Sequence, residues 1–452
     1  MAKGFDSTLF DMSVGYDLKG VRSPRVRAFV AGMKDARAVV ERLRAQLPPE
    51  AARWRDLPFT TRVSDTVTLS TFHGCPPGEI ADIADFLMSE EGLGVVVKLN
   101  PTLLGPTELR ALLHDALGYK DVVVPDEAFE KDARWDDVVS LVGRLERKAA
   151  SLGVGFGVKF CNTLVVENRA GFLPASEKTS YLSGAPLHVL AMHLVKRFRD
   201  RFGEKLPVSF SGGIDKTNFP DAVSVGLAPV TVCSDLLRPG GYGRLRGCLD
   251  ELGKRMDAVQ AIDVPSFMRK SPGVAAYVSA ATADPRYARP KNAAVPRKVG
   301  SELAFFDCLT CDKCLSVCPN GANFAYEPAA GEAPPEGTLK KRRQFANFAD
   351  FCNDCGNCDV FCPEDGGPQL RKPRFFGSLE LWKSDGRDGF FLERADGAET
   401  VHGRIAGREY RLRVTGAAVE RSGAATDGAP FALMDFLRKA VLDSPKANYI
   451  NG

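Results

Sequence analysis

Val95-Val96-Val97-Lys98-Leu99-Asn100-Pro101 decides how the first half of the chain is read. Its apolar, mostly β-branched core predicts a short buried strand, and Asn100-Pro101 ends it. The same grammar recurs on both sides. Val67–Thr71 is a second such run, closing at His73-Gly74-Cys75-Pro76-Pro77, with a helix predicted from Glu79 to about Glu90. Downstream come a helix over Thr107–Leu117, a weak strand at Val122–Val124 and an amphipathic helix over Trp135–Leu152. A strand at Val154–Cys161, a helix at Ala185–Phe202 and strands at Pro207–Phe210 and Val230–Cys233 follow, and a helix over Tyr242–Met256 closes the series. Apolar strands alternating with helices of this length indicate an α/β fold with a parallel sheet and right-handed crossovers.

Polar or glycine-rich residues follow the C-terminal end of nearly every strand. A (β/α)8 barrel puts its active site there, and so does a doubly wound open sheet; periodicity leaves both open. Five clear strands and one weak one fall short of the eight of a closed barrel. Residues 1–60 read as a loop over Asp11–Gly20, a helix over Pro24–Leu47 with interruptions and a proline-containing turn, so they supply no further strand. Either strands escape the pattern, or residues 1–256 form a partial TIM barrel that another polypeptide completes.

The remaining chain changes character. Residues 257–306 read as a connector rich in alanine, proline and basic residues, 307–366 as a cysteine-rich module, and 367–452 as a tail. In the tail, Phe390–Arg394 and Gly403–Val414 read as strands and Pro430–Leu442 as a helix. The 452 residues suffice for about three domains. A net charge of +3 argues against a large nucleic-acid-binding surface. No run approaches the roughly 20 apolar residues of a membrane span, and the N-terminus lacks a signal-peptide apolar run. The expectation is a cytoplasmic protein whose thiols stay reduced.

That expectation gives the twelve cysteines their meaning. Eight fall in two runs, Cys308-x2-Cys311-x2-Cys314-x3-Cys318-Pro319 and Cys352-x2-Cys355-x2-Cys358-x3-Cys362-Pro363. This is the bacterial ferredoxin spacing, in which the fourth cysteine of each run serves the other cluster. It assigns one [4Fe-4S] cluster to Cys308, Cys311, Cys314 and Cys362, and a second to Cys352, Cys355, Cys358 and Cys318. A pair of zinc sites is the alternative, but the third x2-spaced cysteine and the Cys-Pro have no use in a closed zinc tetrahedron.

The strand ends carry a second set of candidates. Lys98 sits near the end of an apolar strand, where an uncompensated ammonium is costly, and a reduced flavin would offset its charge. Asn100 shares its strand face, and Asn162 ends another strand. Gly212 and Gly213 let backbone N–H groups approach a phosphate. Cys233 and Ser234 follow the next strand, and Tyr242 opens the next helix, an order that fits the phosphate site of a barrel. His73 and Cys75 are placed to exchange a proton beside a substrate, although Cys75 reads equally as a small core residue. Gly153-x-Gly155-x-Gly157 lies within a strand and Gly241-x-Gly243 lacks a third glycine, so no dinucleotide fingerprint is present.

Long stretches of this sequence resemble a known family. Met12–Leu18 (MSVGYDL), Thr68–Ile80 (TLSTFHGCPPGEI), Val97–Gly105 (VKLNPTLLG), Ser211-Gly212-Gly213, Leu236–Tyr242 (LLRPGGY) and both cysteine runs are similar to the YgfK-type selenate reductase iron–sulfur subunits, over about residues 5–375. That family's barrel looks like those of dihydropyrimidine and dihydroorotate dehydrogenases. The likeness implies a flavin-ring contact for Lys98, a flavin and substrate contact for Asn162, and FMN phosphate loops at Gly212, Gly213, Cys233 and Ser234. It implies electrons supplied by an NAD(P)H-dependent flavoprotein similar to the glutamate synthase small subunit. It also implies a small substrate, selenate by name or a nitrogen heterocycle. Full-length relatives carry early barrel strands before the MSVGYDL stretch and a flavoprotein after the ferredoxin module, and this sequence departs from them at both ends. Two functions follow: an oxidoreductase subunit passing electrons through two clusters to an FMN barrel, or an electron-transfer scaffold with a degenerate barrel.

Overall fold

The computed structural model of the chain describes residues 10–70, 75–169, 176–335, 338–424 and 428–451. It divides into two compact units, residues 1–234 with 246–294, and 235–245 with 295–452. Among the described residues no helix is long and apolar enough to cross a membrane.

The first unit is built on six parallel strands: β1 (Met12–Val14), β2 (Thr66–Ser70), β3 (Gly94–Leu99), β4 (Phe156–Phe160), β7 (Val208–Ser211) and β8 (Val230–Thr231). Between β4 and β7 the chain makes a separate antiparallel hairpin, β5 (Leu164–Glu167) with β6 (Thr179–Leu182). The sheet order is β1-β2-β3-β4-β7-β8. Each strand joins the edge left by its predecessor and the order never reverses, as in a barrel. A doubly wound sheet reverses at a switch point, so strand order settles what periodicity leaves open. The fold is a partial TIM barrel.

Alternation in the strands sets the two faces. Val67, Leu69, Val95, Val97, Leu99, Val158, Phe160, Val208 and Phe210 are buried in one large core. Helices Pro77–Ser89, Trp135–Leu152 and Ala185–Phe202 contribute Ile83, Leu87, Leu141, Leu145, Leu190 and Phe198 to it. Parallel register lines up the residues between these in rows across the sheet: Ser13, Thr68, Val96 and Gly157 in one, Ser70, Lys98, Lys159 and Ser209 in the next. A closed barrel fills this face with bulky branched side chains. Here it carries hydroxyls and two lysines, and Asp11 accepts from the hydroxyls of Thr66 (2.8 Å) and Thr68 (2.6 Å).

Several expectations change. Met12–Val14, read as loop, is the edge strand β1; three residues are too few to display a period. Val122–Val124 is not a strand, although its middle carbonyl accepts from Glu167 N. The interruption expected within Pro24–Leu47 falls at Asp35-Ala36, between the helices Pro24–Lys34 and Arg37–Ala45. The connector belongs in large part to the first unit: Val264–Arg269 and Val274–Ala283 are helices, and Tyr287 lies in the barrel's core.

In the second unit the cysteine runs and the tail share one seven-stranded sheet, ordered β15-β14-β13-β12-β11-β10-β9. Its strands are β9 (Asn323–Tyr326), β10 (Gln344–Phe348), β11 (Arg374–Phe376), β12 (Gly389–Ala395), β13 (Ala398–Ile405), β14 (Arg408–Thr415) and β15 (Ala418–Gly423). The helix Ala429–Leu442 lays Met434, Leu437 and Val441 against it. Those residues share a core with Phe324, Tyr326 and Phe375 of the cysteine-flanking strands. The boundary expected at residue 366 therefore cuts through a single core.

Two measurements test these packings. Met434 is fully buried and its sulfur lies against Gly403. Met434→Ala is expected to destabilise the second unit by about 2–5 kcal/mol in denaturant unfolding. In the first unit His188 is completely buried: Nδ1–H donates to Gly212 O (2.9 Å), and the Tyr277 hydroxyl donates to Nε2 (2.8 Å). Burial pushes its pKa down to about 4, against a partial rise from the Gly212 bond. The unfolded chain therefore takes up the proton first as pH falls below about 6.5, and stability drops until about pH 4, by roughly 3 kcal/mol from this group. His188→Gln, less stable at pH 7, is expected to show that much less acid sensitivity in urea midpoints.

Candidate functional site

The C-terminal ends of β3 and β4 bring most of the strand-end candidates together. Asn162 Nδ2 donates to Asn100 Oδ1 at 2.7 Å, and both side chains are buried. Lys98 and Lys159 are register partners on adjacent strands. Burial lowers the pKa of each. In Lys98 the neighbouring Cys161 and Cys233 oppose that shift, whereas in Lys159 the charge of Lys98 adds to it. The Lys159 ammonium donates to Thr231 Oγ1 at 2.7 Å. Register thus answers a question that one strand alone leaves open: Lys159 faces the same side as Lys98. Two cations and two amides at one sheet end suit an anionic, planar, hydrogen-bonding ligand.

The glycine loop lies at the same end of the sheet. Gly213 has φ +54°, and a Cβ there would stand 2.4 Å from Gly184 O. Gly212 packs against Leu187 and Ala191. Asn218 Nδ2 donates to Gly213 O (2.9 Å) and to the Tyr287 hydroxyl (3.1 Å), and the Tyr287 ring stacks on His188 at 4.9 Å. The loop is thereby locked against the start of the helix Ala185–Phe202, which has no side-chain cap. Ser234 Oγ lies 3.4 Å from Ser183 Oγ, just before that helix. Gly213 and Ser234 thus lie beside this helix N-terminus, an arrangement that can receive an anion. Tyr242, expected to open the helix that completes it, lies instead in a 3-10 turn of the second unit.

His73 lies outside the described residues. Cys75 is buried, and desolvation reinforced by Glu79 and Asp132 pushes its thiol up to about 12. It stays protonated at neutral pH, as a core thiol does, and is no ready general base. Sequence reasoning overlooks Thr102 and Asp132: Thr102 Oγ1 donates to Asp132 Oδ2 at 2.7 Å, both buried. Nothing in the sequence signals that pair, thirty residues apart, because the helical segments Pro106–Ala116 and Asp126–Lys131 and the loop joining them intervene.

The two cysteine runs of the second unit repeat one backbone shape. Thr310 and Asp312 have φ of 58° and 57°; the equivalent Asp354 and Gly356 have 52° and 71°. A short helix follows each, Lys313–Ser316 and Asn357–Phe361. Left-handed residues of this kind turn successive N–H groups inward, a nest that suits the sulfides of a cluster. The thiols that neighbour one another electrostatically cross between runs. Cys314 is pushed up by burial and by Cys308, Cys311, Cys358 and Cys362; Cys358, raised to about 11 mainly by burial, has Cys318 and Cys352 as neighbours; Cys362 has Cys311. Among the described residues no three His, Cys, Asp or Glu side chains converge on one ion position. The donor set itself, eight cysteines in two runs of ferredoxin spacing, fits two cubane clusters.

The LLRPGGY stretch also belongs to this unit. Asn357 Nδ2 donates to Leu237 O (3.0 Å) and Val317 O (2.6 Å), and Gly240 N to Ser316 Oγ (3.1 Å). A Cβ on Gly241 would stand 2.4 Å from Ser316 O. The glycines here serve close packing beside Cys318 and Cys358.

Comparison with known proteins adds a family. Oxidoreductase YgfK of Escherichia coli K12 and its counterpart in E. coli O157:H7 are each 36% identical over 283 residues. The match covers 58% of this chain and 27% of each relative, so the chain spans about a quarter of their length. Ligand-free DHODH from Eimeria tenella is 16% identical, with 52% of this chain and 71% of that one covered at a TM-score of 0.29. Residues 1–289, well over half the chain, match the model described as oxidoreductase YgfK, N-terminal TIM-barrel domain, and the chain belongs to that family.

Proposed function

We propose that this chain is an iron–sulfur oxidoreductase subunit. Two [4Fe-4S] clusters, one on Cys308, Cys311, Cys314 and Cys362 and one on Cys318, Cys352, Cys355 and Cys358, pass electrons between an NAD(P)H-dependent flavoprotein partner and an FMN held at the strand ends of the barrel. The two complete runs of ferredoxin spacing carry this reading. It draws further support from the paired left-handed turns and from the register of Lys98 with Lys159.

Bound FMN would supply the exchange between one-electron carriage and two-electron chemistry. Lys98 and Lys159 would offset the negative charge of a reduced isoalloxazine. Asn100 and Asn162 would orient it through amide hydrogen bonds. Gly213, Ser183, Ser234 and the N-terminus of Ala185–Phe202 would hold the phosphate. The Cys75 thiol, held protonated, would act as a proton donor only. The substrate would be a small molecule reduced at the flavin face, selenate or a nitrogen heterocycle.

A second reading, an electron-transfer scaffold, is favoured by one observation: β1 and β8 are both edges of the parallel sheet among the described residues. A polypeptide completing the barrel would reconcile the two readings.

Anaerobic purification with iron, sulfide and flavin analysis separates them. About eight irons and one FMN are expected, with FMN lost in Lys98→Met and the iron unchanged. Eight irons and no FMN, even after addition of the flavoprotein partner, would leave the scaffold. The crossed ligation has its own check. Cys318→Ser is expected to perturb the cluster on Cys352, Cys355 and Cys358; loss of the cluster on Cys308, Cys311 and Cys314 instead would refute it.

A further inference from the structure

Lys340-Lys341-Arg342-Arg343 is the longest run of like charge in the sequence, and neither the barrel nor the cluster ligands use it. It leads into β10 and is seated on the first cysteine run. The Asp307 carboxylate accepts from the backbone N–H groups of Lys340 (2.7 Å) and Lys341 (3.2 Å) and from Gln344 Nε2 (2.9 Å). Asp307 N donates back to Gln344 Oε1 at 2.9 Å. Lys341 Nζ donates to Cys308 O (2.9 Å), and Arg343 Nε to Asp312 Oδ1 (3.0 Å). The basic run is thereby held against both ends of the loop Cys308–Asp312.

The face so made is charged, open and partly apolar. Lys340, Lys341 and Arg342 are exposed. Among the described residues none of the three has a carboxylate within ion-pair distance: Asp307 faces backbone and amide donors, and Asp312 pairs with Arg343. Leu309, within the same loop, is 47% exposed, and the cluster ligand Cys311 is exposed as well. An apolar centre with a charged rim is the anatomy of a protein-docking patch.

The second cysteine run has no such surplus. Residues 350–359 hold Asp350, Asp354 and Asp359 and no cation, whereas residues 307–313 and 340–343 together carry a net charge of +3. Asp354 pairs with Arg387 (2.9 Å) and Arg374 (3.8 Å), and Asp359 with Lys298 (3.4 Å). Charge is therefore largely balanced around the second run and left over around the first.

We propose that the face formed by Leu309, Cys311, Lys340, Lys341 and Arg342 docks the acidic face of an electron-carrier protein, so that electrons enter this chain at the cluster on Cys308, Cys311, Cys314 and Cys362. This deepens the two-cluster reading and rests on it. Opposite charges steer the encounter and raise the association rate, and salt screens them over about 10 Å at 0.1 M. One electron leaves the reduced carrier and enters the cluster; no bond forms or breaks. Nucleic acid is the other anionic macromolecule that a basic run attracts. The apolar Leu309, the two carboxylates within the patch and a whole-chain charge of only +3 favour a protein.

The test uses the full-length chain, with iron counted on every sample, and an acidic flavodoxin as the carrier. Anisotropy of dye-labelled oxidised flavodoxin reads binding, and stopped-flow mixing with reduced flavodoxin reads the rate of cluster reduction. Both are expected to weaken about tenfold between about 20 and about 200 mM salt. Lys340→Glu/Arg342→Glu is expected to lose about tenfold in both, together with most of the salt dependence. Lys340→Gln/Arg342→Gln, a milder change, is expected to lose about threefold, and Lys340→Arg/Arg342→Lys to keep both. Arg408→Glu/Lys446→Glu makes the same charge change at exposed sites of the tail and is expected to leave binding and rate in place. Equal losses in the tail and patch variants, salt-independent binding, or tighter binding of a short oligodeoxythymidylate than of flavodoxin would overturn the proposal and spare the two-cluster reading. Fewer than about eight irons in the unsubstituted chain would overturn that reading and the proposal with it.

Discussion

Parallel register is the constraint from which the first unit follows. Once Leu69, Val97 and Val158 are committed to the helices, Ser70, Lys98, Lys159 and Ser209 must fall side by side on the other face. A slip of one residue would bury two lysines under the helices and expose the core, so hydrophobic burial specifies the register strongly. The polar rows are therefore a consequence of packing, and the candidate ligand site inherits its geometry from the core beneath it. The same logic explains how His188, deep in the core, bears on the site: through Gly212 O it fixes the loop that the glycines make.

In the second unit the organising constraint is the repeat. Two runs of equal spacing, each with a left-handed pair around its second cysteine and a short helix after it, place equivalent thiols in equivalent shapes. The repeat stops at the side chains around them. Cys358 Sγ–H donates to Gln369 Oε1 (2.9 Å) beside one run, whereas the buried Lys372 ammonium near the other donates to Ala304 O (2.8 Å). The tail has a plain physical part in this, since its strands and helix complete the core on which β9, β10 and β11 rest.

Glycine is used in two distinct ways. At Gly213 and Gly241 a side chain would collide with a backbone carbonyl at 2.4 Å, and the backbone also needs a positive φ. From the sequence alone only Gly212-Gly213 reads as a phosphate loop. The structure separates them: Gly213 closes a corner at a helix N-terminus, whereas Gly241 is pressed between its own segment and Ser316.

The sequence by itself determined what depends on local spacing. The two cysteine runs, the alternation of strand and helix and the identity of Lys98, Asn100 and Asn162 are all legible there, because thiolate spacing and buried strands leave short-range patterns. Tertiary structure decided what depends on which segments meet. Strand order separated a barrel from a doubly wound sheet, and register put Lys159 beside Lys98. A three-residue edge strand emerged only through its pairing with β2. The tail joined the cysteine module through a shared core, and Thr102 found Asp132 across thirty residues. Such pairings are set by burial and hydrogen bonding between distant segments, and neither leaves a periodic trace in the chain.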